Sequence, residues 1–108
     1  MKKFCVLMGS PRVAGNTAEL LKPFMAELEN LGGEVEYNTL HDKMIESCRS
    51  CYACQHVSGR YGCGLADDAH ALMDAMLASD CIVWATPVYT WFCTPPMKAL
   101  LDRTFGLA

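Results

Sequence analysis

One short apolar run limits the fold of this chain more than any other feature. Phe4 to Met8 are five apolar residues in succession, with no polar residue between them. A strand of this kind is buried on both faces, as in parallel sheets covered by helices. The strand, residues 3–9, ends at Gly9, and apolar residues at helical spacing follow from about Asn16. The chain therefore opens with a strand–loop–helix unit.

The rest of the chain continues the alternation of strands and helices. Residues 34–40 alternate polar and apolar side chains, which predicts an edge strand with one wet face. Residues 69–77 have the spacing of a helix, and residues 81–86 form a second continuous apolar run. A third helix follows, and its predicted inner face consists of Met97, Leu100, Leu101, Thr104 and Phe105. This order predicts an α/β fold with a parallel sheet.

Length and composition exclude several classes of protein. The 108 residues predict a single domain, 1–108, with a cysteine-rich loop at about 41–66. A net charge of −3 supplies no basic patch for nucleic acid and no polybasic membrane anchor. No apolar run approaches the ~20 residues of a membrane span, and the run after Lys3 is too short for a signal peptide. We therefore expect a cytoplasmic protein.

The second apolar run has no predicted neighbour on its far side. Residues 81–86 have the pattern of an interior strand, but no later segment predicts a strand that would pair with them. A bare apolar edge readily pairs with another chain. We therefore expect either a homo-oligomer, a dimer or a tetramer, or a longer fold of which this chain is a part.

The loop after the first strand has the features of an anion site. Gly9 permits a tight exit from the strand, and Gly15 permits close approach of the backbone to a ligand. The loop also contains neutral donors and one cation, and a helix N-terminus follows it. These polar residues are Ser10, Arg12, Asn16 and Thr17. The set suits a terminal monophosphate; the alternative is a plain turn with a good helix cap.

Four of the seven cysteines are clustered in the pattern Cys48-x2-Cys51-x2-Cys54-x8-Cys63. This spacing permits an iron–sulfur cluster with four thiolate ligands. Free or redox-active thiols are a second interpretation, since the cytoplasm keeps cysteines reduced. Structural zinc is the third, with the four cysteines or with His56 in place of one. Cys5 and Cys81 lie in predicted strands, where we expect them to be small buried side chains.

Three motifs, in this order along the chain, resemble those of the NADPH-dependent FMN reductase family. The first is Gly9-Ser10-Pro11-Arg12 with Gly15-Asn16-Thr17, and the second is the cysteine cluster followed by Asp67-Asp68. The third is Thr86-Pro87-Val88-Tyr89 with Met97-Lys98 and Asp102-Arg103. The cysteines resemble those of the iron–sulfur flavoprotein branch. The resemblance extends over essentially the whole chain.

The resemblance implies a flavodoxin-like fold with FMN at the carboxyl ends of the strands. The family sheet has five parallel strands in the order 2-1-3-4-5. Strands four and five fall outside these 108 residues, so we expect a shortened sheet of about three strands in the order 2-1-3. By resemblance, the phosphate is bound by Ser10, Arg12, Gly15, Asn16 and Thr17. The isoalloxazine and ribityl groups are bound by Pro87, Val88, Tyr89, Thr90 and Trp91.

The implied function is that of an FMN-binding, NAD(P)H-dependent oxidoreductase or electron-transfer flavoprotein. FMN carries this chemistry, so no catalytic side chain is assigned. The branch also implies a [4Fe-4S] cluster held by Cys48, Cys51, Cys54 and Cys63. Two alternatives remain open: a non-catalytic flavodoxin-like module that acts through oligomerisation, and a zinc-stabilised interaction domain.

Overall fold

Three parallel strands form one sheet in a computed structural model of the chain, which describes residues 1–57 and 61–107. The strands are β1 (Lys3–Met8), β2 (Glu34–Thr39) and β3 (Cys81–Ala85), and the helices are α1 (Asn16–Asn30), α2 (Ala69–Leu77) and α3 (Pro95–Arg103). Short 3-10 turns lie at Ala53–His56 and Thr104–Leu107. The sheet order is β2-β1-β3, which confirms the predicted α/β fold. None of the helices described is long and apolar enough to cross a membrane.

The central strand β1 is the core of the molecule. Its partners run parallel to it on either side, with Val6 opposite Tyr37 of β2 and Val83 of β3. One face of β1 packs against α2 and α3, and its opposite face packs against α1. Buried side chains on these two faces alternate along the strand, with Leu7 on the α2/α3 side and Val6 on the α1 side. The continuous apolar run is thereby explained, because both faces of β1 are covered.

The prediction that residues 81–86 are buried on both faces is wrong for the part of the chain described. β3 pairs with β1 alone and forms the edge of the sheet, so Cys81 is exposed and Trp84 is 38% exposed. Cys5, on the central strand, is buried as expected. Leu20 and Phe24 of α1 are also exposed and line an open groove of about 420 Å³ beside β3.

The predicted inner face of α3 is also only partly correct. Met97 and Leu100 are buried, but Leu101 and Phe105 are exposed to solvent. The position that the sequence pattern misses is Arg103, which is 1% exposed. Burial of a cation requires matched hydrogen-bond acceptors, which the loop before α2 supplies.

Replacement of Leu7 tests the central position of β1. Leu7→Ala should lower the free energy of unfolding by about 3 kcal/mol, because the side chain is fully buried and a cavity would remain. Leu20→Ala is the matched control, since Leu20 is 76% exposed, and should change it by less than about 0.5 kcal/mol. Urea unfolding measures both variants, and equal losses would contradict the assignment of β1 as the core strand.

Candidate functional site

Two loops meet at the carboxyl ends of adjacent strands. The loop after β1 begins with Gly9, whose N–H donates to the Ala85 carbonyl oxygen at the end of β3 (2.7 Å). A Cβ atom on Gly9 would lie 2.9 Å from Thr94 Oγ1 and 3.3 Å from the Ala85 oxygen, closer than such atoms normally approach. Glycine at this position therefore lets the start of the first loop lie directly against the end of the second.

The phosphate loop predicted from the sequence is tightly folded. Ser10 is buried, and its Oγ accepts a hydrogen bond from the Arg12 N–H (3.1 Å). The Gly15 N–H in turn donates to the Arg12 carbonyl oxygen (3.3 Å). The Arg12 side chain is exposed and packs over Gly15, where an added Cβ would lie 3.0 Å from Arg12 Cβ. The loop thus places the aliphatic part of the Arg12 side chain beside the beginning of α1.

The N-terminus of α1 has the chemistry of an anion site. Gly15 is its N-cap, and no side chain of the described residues caps the helix at this end. The first N–H groups of a helix lack partners within the helix and carry its positive dipole end. Asn16 is exposed and Thr17 is half-buried, so both lie at the surface beside these N–H groups. The structure therefore brings together the residues predicted to bind phosphate.

The second loop forms a strained turn. Tyr89 and Phe92 exchange two backbone hydrogen bonds, of 2.7 and 3.0 Å. Between them, Thr90 and Trp91 have φ values of 48° and 71°, in the left-handed region that costs non-glycine residues roughly 1–2 kcal/mol each. Strain of this kind is concentrated at functional sites. Trp91 is 94% exposed, so the turn presents a large aromatic surface to solvent.

The four clustered cysteines line one cleft. Cys48, Cys51, Cys54 and Cys63 all border a cavity of about 20 Å³, which has room for about one water molecule. Ser50 and Tyr52, on either side of Cys51, are left-handed with φ of 54° and 60°. Within residues 1–57 and 61–107, no three His, Cys, Asp or Glu side chains are grouped closely enough to hold a metal ion. The donor set, four thiols around one cleft, is that of an iron–sulfur cluster. The side chain of His56, the alternative zinc ligand, lies outside the described residues.

Arg103 is the anchor of this region. Its guanidinium forms a two-pronged ion pair with the Asp67 carboxylate (2.7 and 2.9 Å), and both side chains are nearly inaccessible to solvent. It also donates to the carbonyl oxygens of Glu46 (2.9 Å) and Leu65 (3.3 Å) and to Cys63 Sγ (3.1 Å). Arg103 therefore joins the end of α3 to both ends of the cysteine-rich loop.

These contacts shift the pKa values of several groups. Burial opposes ionisation of Asp67, but hydrogen bonds from Arg103 and from the Glu46 and Ala69 N–H groups outweigh it and lower the pKa to about 2. Burial of Tyr61, whose hydroxyl donates to the Arg103 carbonyl oxygen (2.7 Å), raises its pKa to about 12. Both shifts favour the protonation states in which the network is fully hydrogen-bonded.

Sequence reasoning missed the buried network. Asp67 and Arg103 appeared only as members of motifs, and Tyr61 was not singled out. The sequence does contain a signal for the burial of Arg103. This arginine follows Met97 and Leu100 at intervals of three residues, so it lies on the same face of α3 as these buried side chains.

Comparison with known proteins points to one family. The sequence profile of the NADPH-dependent FMN reductase family matches residues 2–106. An iron–sulfur flavoprotein of Archaeoglobus fulgidus is 36% identical over 97 residues, which are 90% of this chain and 43% of that protein. An iron–sulfur flavoprotein of Methanocaldococcus jannaschii is 32% identical over 91% of this chain and 49% of that protein. One of Methanosarcina thermophila is 28% identical over 94% of this chain and 52% of that protein. The chain thus spans about half the length of the curated relatives it matches.

Removal of the Asp67 charge should destabilise the protein severely. Asp67→Asn would leave Arg103 buried without its counter-ion, which typically costs about 3–5 kcal/mol. The control is Asp102→Asn, because Asp102 pairs with Lys98 at the surface and should contribute less than about 1 kcal/mol. Denaturant unfolding compares the two, and a loss for Asp67→Asn no larger than for Asp102→Asn would refute the anchoring role.

The same carboxylate predicts how stability depends on acid. Its pKa is about 2 when folded against an ordinary value of 3.8, so its contribution is complete above about pH 4 and is lost as the pH falls towards 2. This difference in pKa corresponds to about 2 kcal/mol of the free energy of unfolding. Unfolding free energies measured between about pH 6 and pH 2 should fall more steeply for the wild-type protein than for Asp67→Asn. Parallel curves would show that Asp67 is not the group responsible.

Proposed function

The chain belongs to the NADPH-dependent FMN reductase family, and from this premise we propose that it binds FMN and acts as an oxidoreductase or electron-transfer flavoprotein. The observation that carries the proposal is the meeting of two loops at adjacent strand ends, with Gly9 packed against Ala85 and Thr94. Such a crevice is where open parallel α/β sheets bind nucleotides. The relatives are iron–sulfur flavoproteins, which supports the same chemistry for this chain.

The loop after β1 is proposed to bind the FMN phosphate. The N–H groups at the start of α1 would donate to the phosphate oxygens, and the hydroxyl of Thr17 and the amide of Asn16 would add neutral donors. Arg12, which packs over Gly15, would supply the positive charge. Ser10 keeps the loop closed by accepting the Arg12 N–H, and its own hydroxyl proton remains available for donation.

The loop after β3 is proposed to contact the ring system and the ribityl chain. Pro87 is half-buried at its base, whereas Val88, Tyr89, Thr90 and Trp91 are exposed. Thr86 fixes the base of this loop, because its hydroxyl donates to the Pro87 carbonyl oxygen (2.8 Å) and accepts the Thr94 N–H (3.1 Å). The exposed apolar and aromatic side chains would pack on a flat ring and exclude water from it.

The cysteine cleft is proposed to hold a [4Fe-4S] cluster. Cys48, Cys51, Cys54 and Cys63 would be its ligands, on the basis of their common cleft and the match to iron–sulfur flavoproteins. When bound, FMN exchanges hydride or single electrons and a cluster exchanges single electrons. The chain's own residues would position these groups, and NAD(P)H is the proposed electron donor.

We also propose a cellular location and an oligomeric state for the protein. All seven cysteines are free in the structure, as is usual in a reducing compartment, and we infer a cytoplasmic location from them. The exposed edge of β3 and the groove beside Leu20 and Phe24 favour a homo-oligomer.

The same exposed edge favours a second candidate function, that of a non-catalytic module acting through oligomerisation. The two are separated by thermal unfolding with FMN, because a ligand at about a hundred times its dissociation constant adds roughly 2.7 kcal/mol of stability. A melting temperature unchanged by saturating FMN would favour the module. Stoichiometric zinc without iron or sulfide would favour a zinc-stabilised domain instead.

Thr17 offers a direct test of the phosphate site. Thr17→Val should weaken FMN binding by about tenfold, which corresponds to ~1.4 kcal/mol for one lost hydrogen bond to a charged group. Riboflavin, which lacks the phosphate, should bind wild type and variant equally. Flavin fluorescence titration measures both ligands, and Thr104→Val is the control variant because the Thr104 hydroxyl donates to the Leu101 carbonyl oxygen of α3 and belongs to neither loop. Equal losses for FMN and riboflavin would place the phosphate elsewhere.

A further inference from the structure

We propose that Arg103 is a positioning residue for the cluster: it holds the Cys63 sulfur in place and raises the reduction potential of a cluster bound there. The inference rests on the proposed function of the cysteine cleft. It goes beyond that function by assigning a redox-tuning role to a residue that is not a ligand.

The hydrogen bonds of Arg103 carry the argument. Its side chain is completely buried and uses all five N–H donors. Four of them reach oxygen atoms, namely both Asp67 carboxylate oxygens and the carbonyl oxygens of Glu46 and Leu65. The fifth, on Nε, donates to Cys63 Sγ at 3.1 Å. Because the guanidinium is planar and held on its other two nitrogens, its Nε–H direction is fixed by the fold.

Cys63 is the ligand that most needs an external support. The other three cysteines follow one another at short spacing, whereas Cys63 is separated from Cys54 by eight intervening residues. Tyr61 ties that segment to α3, through its hydroxyl bond to the Arg103 carbonyl oxygen. Both the side chain and the main chain of Arg103 therefore hold the segment that carries Cys63 against α3.

A hydrogen bond donated to a ligand sulfur also changes the reduction potential of a bound cluster. Reduction adds one electron to a cluster, and the added charge is spread over its sulfur atoms. An N–H donated to one of those sulfurs stabilises the more negative state, so the reduction potential rises. Removal of the donor should lower the potential without removing a ligand.

The cleft itself provides the control residue. Arg49 lines the same cleft but its side chain is 62% exposed and pairs only with Glu46 (2.9 Å) among the described residues. Arg49→Lys keeps the charge and disturbs no bond to sulfur. Arg49→Lys therefore shows how much the reduction potential changes when an arginine of the cleft that does not contact sulfur is replaced.

The first experiment is carried out on the metal-free protein. In ¹⁵N–¹H spectra, the Nε–H of Arg103 should exchange slowly with solvent, and Cys63→Ala should shift its signal, while Arg49 exchanges rapidly. This readout is independent of any cluster. A signal for Arg103 that is unaffected by Cys63→Ala would overturn the proposed contact.

The second experiment is a redox titration of the protein reconstituted anaerobically with iron and sulfide. Arg103→Lys keeps a cation beside Asp67 but loses the Nε–H donor, so its reduction equilibrium constant should fall at least tenfold, or ~59 mV for one electron. Arg49→Lys should leave the constant within about twofold of the wild type. If Arg103→Lys does not fold, Asp67→Asn/Arg103→Met removes both charges together, leaves no side-chain donor at position 103 and should show the same fall.

The outcomes separate the two levels of the proposal. An unchanged potential in a folded Arg103 variant with wild-type iron and sulfide content would overturn the tuning role and leave the cluster function standing. A wild-type protein that takes up no iron and sulfide would overturn the cluster function and the tuning role with it.

Discussion

The structure depends most heavily on the buried ion pair between Arg103 and Asp67. Taking two charges out of water costs several kcal/mol per ion, so the pair is stable only because its donors and acceptors are matched. All five guanidinium N–H groups have acceptors, and the Asp67 carboxylate also accepts the N–H groups of Glu46 and Ala69. The pair closes the cysteine-rich loop on itself and fastens it to α3, which in turn positions the loop after β3.

Much of this fold could be predicted from local pattern. The unbroken apolar run of β1 and the alternation of strands and helices predicted a parallel sheet, and the structure confirms the order β2-β1-β3. The edge position of β3 was also predicted, since no later segment pairs with it, but the exposure of Cys81 and Trp84 could not be, because apolar residues on both faces of a strand do not reveal which neighbour covers them. Burial of Arg103 could not be predicted either, since its acceptors lie 36 to 57 residues away along the chain.

The two loops of the candidate site, and their convergence, could be predicted from the sequence, but their direct packing could not. Both loops follow strands predicted to be neighbours, and the structure packs them together at Gly9 and Thr94. The left-handed turn at Thr90 and Trp91 has no sequence signal, because such turns ordinarily use glycine or asparagine. The narrow cysteine cleft likewise depends on tertiary contacts made by Arg103. These strained and enclosed features are concentrated where we propose that the cofactors bind.

A titration of the ¹⁵N-labelled protein with FMN, followed by ¹⁵N–¹H spectra, tests the central claim most directly. The account predicts that the largest amide shifts lie in residues 10–17 and 88–91, the two loops at the ends of β1 and β3. Residues at the amino ends of the strands, such as Lys2 and Gly33, should not shift. An absence of shifts at saturating FMN, or shifts confined to residues outside the two loops, would contradict it.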